Sequence, residues 1–169
     1  EEYANDLYFK NRMLLSKSVH SRKSNIQTTQ DTVAILEKLW KETGSFNIFE
    51  HYYFLRGWYL ELIGDYSGIV KHSQQAEKDV TKMKVNPMRF DVRFNIYIRT
   101  FAFLCLKDFE KGFVSAEEGM KTIEPSTRNW FAHMENYFLL AMHTRDYKKA
   151  SEIYKKVTKN SSLKKVSKK

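Results

Sequence analysis

Apolar residues recur at intervals of three and four along nearly the whole chain, which is the spacing of one face of an α-helix. Alternating strand-like runs and Asn-Gly or Asp-Gly hairpin signals are absent from the sequence. The apolar periodicity, the glycine and proline breaks and the capping residues predict eight helices. These helices are expected at approximately 3–20, 29–42, 47–63, 65–84, 87–106, 108–124, 126–143 and 146–159, with a polar loop at 21–28. The chain is therefore expected to be all-α.

A short motif marks the junction of two helices in three places. An apolar helix ends, an aspartate follows as the N-cap of the next helix, and an aromatic residue occupies the first turn of that helix. The motif reads Gly64-Asp65-Tyr66, Lys107-Asp108-Phe109 and Arg145-Asp146-Tyr147. Its aromatic residues are 43 and then 38 residues apart. Two-helix units that repeat at such intervals indicate an α-solenoid, in which no unit buries its apolar face alone.

Residues 47–159 resemble the tetratricopeptide-repeat (TPR) family. Gly57 matches the small residue that the family places nine positions before a hairpin aromatic, whereas Phe138 departs from that pattern. Ala150 and Tyr154 match the small and aromatic residues that follow the last hairpin aromatic. The resemblance is therefore to a divergent member of the family.

The resemblance implies a TPR-like right-handed α-solenoid of about four helix pairs, forming a single domain over 1–160. The expected pairs are approximately 3–42, 47–84, 87–124 and 127–159. The stretch 129–143 is also similar to segments of uncharacterised bacterial helical-repeat proteins, a likeness that implies a fold and no activity.

The two helices of each pair differ in chemistry. The first is apolar on several sides, whereas the second carries one apolar stripe and a charged face. In the TPR fold the first helices line the concave surface, where the family binds peptides or partner helices. Counted from the hairpin aromatics, the family's inward positions are His51, Phe54, Trp58, Tyr97, Phe101, Glu135, Leu139 and Met142.

This lining is mostly aromatic and aliphatic, which leads to two alternatives. The groove is occupied by a partner's peptide or amphipathic helix, by a second copy in a homo-oligomer, or by a neighbouring part of a longer chain. Alternatively, tight curvature closes the groove, and its lining is ordinary core. Close helix packing is also expected at Gly57, whereas Gly119, on a second helix, is expected to accept alanine.

Composition excludes several classes of protein. The 169 residues include 25 aromatic side chains and are 42% hydrophobic, which excludes an intrinsically disordered chain. One cysteine excludes a disulfide framework and a thiolate zinc site, and it fits the cytoplasm. No apolar run approaches the roughly 20 residues that span a bilayer.

The net charge of +9 is concentrated at the C-terminal end. Residues 148–169 contain nine lysines and one acid, Glu152, whereas residues 1–147 are nearly neutral. The segment 161–169 is expected to be a basic tail. A solvated end that aids solubility is one interpretation, and contact with an anionic lipid surface or nucleic acid is the other.

Candidate catalytic groups are sparse. No two of the five histidines are four residues apart, and no phosphate-binding glycine loop or nucleophile motif occurs. Cys105 lies in an apolar run, which raises a thiol pKa and disfavours a nucleophilic role. Basic residues are too few among the aromatics for a nucleic-acid groove, so nucleic acid is not expected as a partner. The sequence thus favours a non-enzymatic protein-interaction module without catalytic residues, metal or cofactor; the alternative is a regulatory protein that acts through its lysine-rich end.

Overall fold

The computed structural model describes residues 2–17, 22–83 and 92–160, and the prediction of an all-α protein is confirmed for them. Within these ranges the chain forms eight helices and no strand. The helices are α1 (Glu2–Lys17), α2 (Arg22–Thr43), α3 (Phe46–Ile63), α4 (Tyr66–Lys82), α5 (Val92–Leu106), α6 (Phe109–Thr122), α7 (Arg128–His143) and α8 (Tyr147–Asn160).

The predicted polar loop at 21–28 is wrong, because α2 begins at Arg22. Serine, asparagine and threonine each cost a helix less than about 1 kcal/mol relative to alanine. Adding a residue to an existing helix is also much easier than nucleating one. The helix therefore extends in the N-terminal direction from the part that packs on α3. The predicted start of the fifth helix at Pro87, and the basic tail 161–169, lie outside the described residues.

The three predicted junction motifs adopt the same geometry. The residue before each aspartate has a left-handed backbone, with φ of 75° at Gly64 and 59° at both Lys107 and Arg145. Each aspartate N–H donates to a carbonyl five residues earlier, at 2.9 Å, 3.0 Å and 2.9 Å for Asp65, Asp108 and Asp146. Each carboxylate accepts the backbone N–H three residues later, at 2.8 Å, 3.4 Å and 2.9 Å in the same order. The motif is thus a Schellman C-cap fused to an aspartate N-cap.

The chain divides into two compact units, 1–90 and 91–169. In the first unit, α3 packs against α1, α2 and α4. The buried residues of α3 occupy several of its sides, whereas α4 buries one stripe; this confirms the predicted difference between first and second helices. The buried residues are Ile48, Phe49, Tyr52, Tyr53, Leu55, Gly57 and Leu60 on α3, and Ile69, Ser73, Ala76 and Val80 on α4.

In the second unit, α7 is central and packs against α5, α6 and α8, while α5 also packs against α6. Thr127 caps α7 by accepting the N–H of Trp130 at 3.2 Å, as expected for a helix that starts at this Ser-Thr pair. The core of this second unit is the cluster Ile123, Trp130, Met134, Ala141, Ala150 and Ile153. That residues 1–160 form a single domain stays a prediction.

Candidate functional site

Three residues of the predicted lining lie on one exposed side of α7. Leu139 and Met142 expose 37% and 41% of their surface. Glu135, which lies nearer the start of the helix, is also exposed. Phe131 and Phe138 lie on the same side and are half-buried. This side of α7 is therefore an apolar stripe that contains one carboxylate.

A cavity of about 180 Å³ adjoins this stripe, between α7 and α8. Apart from one carboxylate and one tyrosine hydroxyl, its walls are hydrocarbon. A cavity of about 150 Å³ with such walls accommodates a benzene molecule, so this one has room for one large side chain. The lining residues are Phe131, Met134, Glu135 and Phe138 on α7, and Ile153, Tyr154 and Val157 on α8.

The open side of α8 carries two exposed tyrosines. Tyr147 and Tyr154 expose 63% and 62% of their surface, and their spacing of seven residues places them on the same side of the helix. On its other side α8 is buried at Ala150 and Ile153, which belong to the same core cluster as Ala141 of α7. We call the cavity, together with Leu139, Met142 and the two tyrosines, the α7–α8 groove.

The opposite flank of α8 is covered by its own unit. The Nζ of Lys149 lies 4.6 Å from the ring centroid of Phe113 and 5.8 Å from that of Tyr137. It also lies 3.6 Å from a carboxylate oxygen of Glu117. Burial and the neighbouring Glu117 raise the pKa of Tyr137 to about 12. The free side of the α7–α8 pair is consequently the one that carries the groove.

The buried side of α7 packs closely against α6. Nε2 of His133 donates to the carbonyl of Ala116 at 2.8 Å, and burial lowers the pKa of this histidine. A Cβ added to Gly119 would collide with the imidazole ring of His133. The expectation that Gly119 accepts alanine is thus wrong, because this second helix uses its glycine for a close approach to α7.

The predicted lining residues on α5 lie at the packed side of the second unit. Tyr97 and Phe101 are both half-buried. The side-chain amide of Asn136 donates to the carbonyl oxygen of Tyr97 at 3.4 Å, which joins α7 to α5.

In the first unit, His51 already contacts α1. Its ring stacks on Tyr8 with centroids 4.2 Å apart and planes at 11°, and it is hydrogen-bonded to the Asn5 side chain. Burial lowers the pKa of His51. Phe54 and Trp58, the other two predicted residues on α3, are half-buried.

Sequence reasoning missed a polar pocket of about 500 Å³ in the first unit, lined by α2, α3 and α4. The guanidinium of Arg56 donates to the Tyr52 hydroxyl at 3.1 Å and lies 3.6 Å from the Glu37 carboxylate. His72 donates from Nε2 to the carbonyl of Tyr53 at 3.0 Å. Because the pocket depends on how three successive helices pack, the spacing of residues within one helix does not reveal it.

Burial sets the ionisation of this polar pocket. Burial is the main reason that the pKa of His72 falls to about 4 and that of Tyr52 rises to about 12. General acid–base catalysis is most effective when a pKa lies near the working pH. Both pKa values lie far from neutrality, so near pH 7 His72 and Tyr52 keep their uncharged forms.

In the part of the chain that the structure describes, no three or more His, Cys, Asp or Glu side chains are grouped so as to hold a metal ion. Among the same residues, no helix has the length and apolar character needed to cross a membrane. The chain matches no protein-family model, no curated protein and no solved structure.

Proposed function

We propose that the protein is a TPR-like protein-interaction module that binds an amphipathic helix of a partner in the α7–α8 groove. The main support is the position of the exposed apolar residues of α7, beside a hydrocarbon-lined cavity with room for one large side chain. Amphipathic helices bind such grooves by inserting apolar residues at three- and four-residue spacing. The predicted residues Glu135, Leu139 and Met142 all belong to this surface.

The packing within each unit supports the repeat arrangement that this proposal assumes. First helices of successive pairs pack side by side, α1 with α3 and α5 with α7, and each second helix with a described burial pattern buries a single stripe. The same junction motif closes three hairpins. Stacked two-helix units have these features in common.

The absence of catalysis is also part of the proposal. His72 and Tyr52 have pKa values near 4 and 12, and the Arg56 guanidinium is engaged by Tyr52 and Glu37. We infer that the polar pocket stabilises the first unit and carries no reaction.

Methyl NMR tests the groove directly. We would label the six methionines and add a synthetic 18-residue helix that carries a leucine stripe, in one version with glutamates and in another with lysines on its polar face. The signals of Met134 and Met142 should shift on addition of at least one peptide, whereas Met83, in the other unit, should not move. The double variant Met142→Ser/Tyr154→Ser should weaken binding at least tenfold.

Val114→Ser is the matched control, because Val114 is an exposed apolar residue of the same unit that does not line the cavity. It should leave peptide binding unchanged. Binding that survives in the double variant, or shifts that avoid Met134 and Met142, would refute the groove as the site.

The exposed lysines of α8 support the second candidate function, contact with an anionic surface. Lys148, Lys155 and Lys159 are exposed on this helix, and like charges of this kind bind anionic lipid or nucleic acid. Vesicles containing phosphatidylglycerol separate the two candidates. Vesicle binding that is lost in Lys148→Gln/Lys155→Gln but retained in Met142→Ser/Tyr154→Ser would favour the second.

A further inference from the structure

We propose that the cavity of the α7–α8 groove binds an arginine side chain of the partner helix, with its guanidinium group at the mouth beside Glu135 and Tyr154. This inference rests on the proposed function, since it names the side chain by which the groove recognises a partner helix. It is carried by the arrangement of the cavity, whose floor is hydrocarbon and whose mouth combines a carboxylate with an aromatic ring.

The residues that line the cavity differ in exposure, and this difference gives the cavity a floor and a mouth. Met134 and Ile153 are buried, so they form the floor. Glu135 on α7 and Tyr154 on α8 are exposed, so they lie at the mouth, one on each helix. The half-buried walls are Phe131, Phe138 and Val157. A side chain that enters the cavity therefore passes from a charged and aromatic mouth into hydrocarbon.

The charge at the mouth is negative. Among the described residues, Glu135 is the only charged side chain that lines the cavity, and its carboxylate has no hydrogen-bond or ion-pair partner. A helix that covers the groove shields this carboxylate from water, and a charge that loses its hydration without gaining a partner costs free energy. A partner that brings only hydrocarbon to the mouth therefore loses affinity, and one that brings a second carboxylate is repelled. The mouth thus favours a cation.

Basic residues near the groove lie outside the cavity. Lys148 and Lys155 are on the side of α8 away from the residues that line it. Arg128 precedes Glu135 by seven residues, about 10 Å along the axis of α7, a separation at which salt screens an exposed charge. Glu135 is therefore the charge that an inserted side chain meets at the mouth.

An arginine side chain matches both parts of the cavity. Its methylene stem packs along hydrocarbon while its head group stays at the water-facing mouth. The planar guanidinium forms two parallel hydrogen bonds with a carboxylate, and it stacks on an aromatic ring such as that of Tyr154. It is also more weakly hydrated than a lysine ammonium group, so it loses less when the helix covers it. Arginine is therefore the expected anchor of the partner helix.

Isothermal titration calorimetry of the full chain with three synthetic helices tests this assignment. The helices share a leucine stripe and a polar face of glutamines, and they differ at one central position of the stripe, which is arginine, citrulline or leucine. Citrulline has nearly the shape of arginine but carries no charge. The arginine helix should bind at least about fivefold more tightly than either of the other two, from the ion pair and the ring contact together.

Glu135→Gln is the decisive variant, because it removes the charge at the mouth and keeps the shape of the side chain. It should reduce the preference for arginine over citrulline to about twofold, the part that the ring of Tyr154 supplies. Tyr154→Leu, which keeps an apolar wall, should weaken binding of the arginine helix by about two- to fivefold. Glu110→Gln is the matched control and should leave the preference unchanged, because Glu110 is an exposed glutamate of the same unit that does not line the cavity.

Equal affinity of the arginine and citrulline helices would overturn the inference, as would tighter binding of the leucine helix. An undiminished preference for arginine in Glu135→Gln would also overturn it, because the charge would then be recognised elsewhere. In these cases a helix still binds, so the proposed function stands if the signals of Met134 and Met142 shift. If none of the three helices binds, the inference fails, and the proposed function fails with it when the helices used for methyl NMR do not bind either.

Discussion

At the scale of single residues, Gly119 and His133 determine how closely α6 approaches α7. The imidazole occupies the space in which a Cβ on Gly119 would lie, and its Nε2 is fixed by the carbonyl of Ala116. The ring is completely buried, so it cannot move aside into solvent. A glycine at this point of a helix is therefore a packing requirement, despite its conformational cost.

Gly119→Ala is expected to lower the free energy of unfolding by about 1–3 kcal/mol, because overpacking outweighs the roughly 1 kcal/mol that alanine gains in a helix interior. Urea denaturation measures the change. Val114→Ala, at an exposed position of the same helix, should change stability by no more than about 0.5 kcal/mol. A Gly119→Ala protein more stable than the wild type would show that the helices separate freely.

His72 gives the stability of the protein a defined pH dependence. Burial lowers the pKa of His72 from 6.5 to about 4, so between these values the unfolded chain binds a proton that the folded chain excludes. The free energy of unfolding should fall as the pH drops from about 6.5 to 4, by up to about 3 kcal/mol from this group. Its full contribution is present above pH 6.5.

The variant His72→Leu should flatten this part of the pH profile. Denaturation at pH 4.5 and 7.5 gives the loss of stability between the two pH values for each protein, so any constant effect of the substitution cancels. The loss should be smaller in His72→Leu than in the wild type. Parallel profiles would mean that His72 is protonated in the folded protein.

At the scale of elements, the three junction motifs connect helix to helix by the same hydrogen bonds but with different residues at the left-handed position. Gly64 adopts its φ of 75° without steric cost, whereas Lys107 and Arg145 hold a φ of 59° that L-residues seldom adopt. The aspartate that follows satisfies a backbone N–H of the next helix in each case. The turn thus persists without its best residue, because hydrogen bonds on both sides hold it.

We therefore expect Lys107→Gly and Arg145→Gly each to raise the free energy of unfolding by roughly 0.5–1 kcal/mol. Glycine relieves the strain of the left-handed backbone, and part of this gain is lost because glycine also gives the unfolded chain more conformational freedom. The reverse substitution, Gly64→Lys, should destabilise the protein by a similar amount. Thermal and urea unfolding of the three variants give the comparison. Stabilisation by Gly64→Lys would contradict the shared turn geometry.

At the scale of the whole molecule, the positive charge is concentrated at the C-terminal end of the chain. Nine lysines lie in residues 148–169, four of them beyond Asn160. The tail 161–169 contains two apolar residues, Leu163 and Val166, too few to offset the entropy of ordering it. The tail is therefore not expected to contribute to the core.

Truncation after Asn160 is expected to change the melting temperature by no more than about two degrees. Differential scanning calorimetry of the full and truncated chains provides the measurement. A drop of about ten degrees would mean that the tail packs as a capping segment.

The sequence by itself determined most of the local structure. Apolar spacing located the helices, and the Gly-Asp or basic-Asp pairs located three of the junctions, because both signals act between residues a few positions apart. The positions of Glu135, Leu139 and Met142 came from the resemblance to the TPR family, and in the structure all three side chains are exposed on α7. The predicted loop at 21–28 was the exception. Its residues have weak helix propensity, but they join α2 because extending an existing helix is easier than starting a new one.

Only the tertiary structure decided which surfaces stay open. His51 belongs to the predicted lining by its position on α3, yet α1, more than forty residues away, stacks against it. Tyr154 matches an aromatic position of the TPR pattern by sequence, and only the structure shows that it forms a wall of the cavity beside α7. Gly119 reads as replaceable, yet His133 fills the space beside it. In each case the neighbour comes from another helix, and helix-to-helix packing depends on shape at contact, which residue spacing within one helix does not encode.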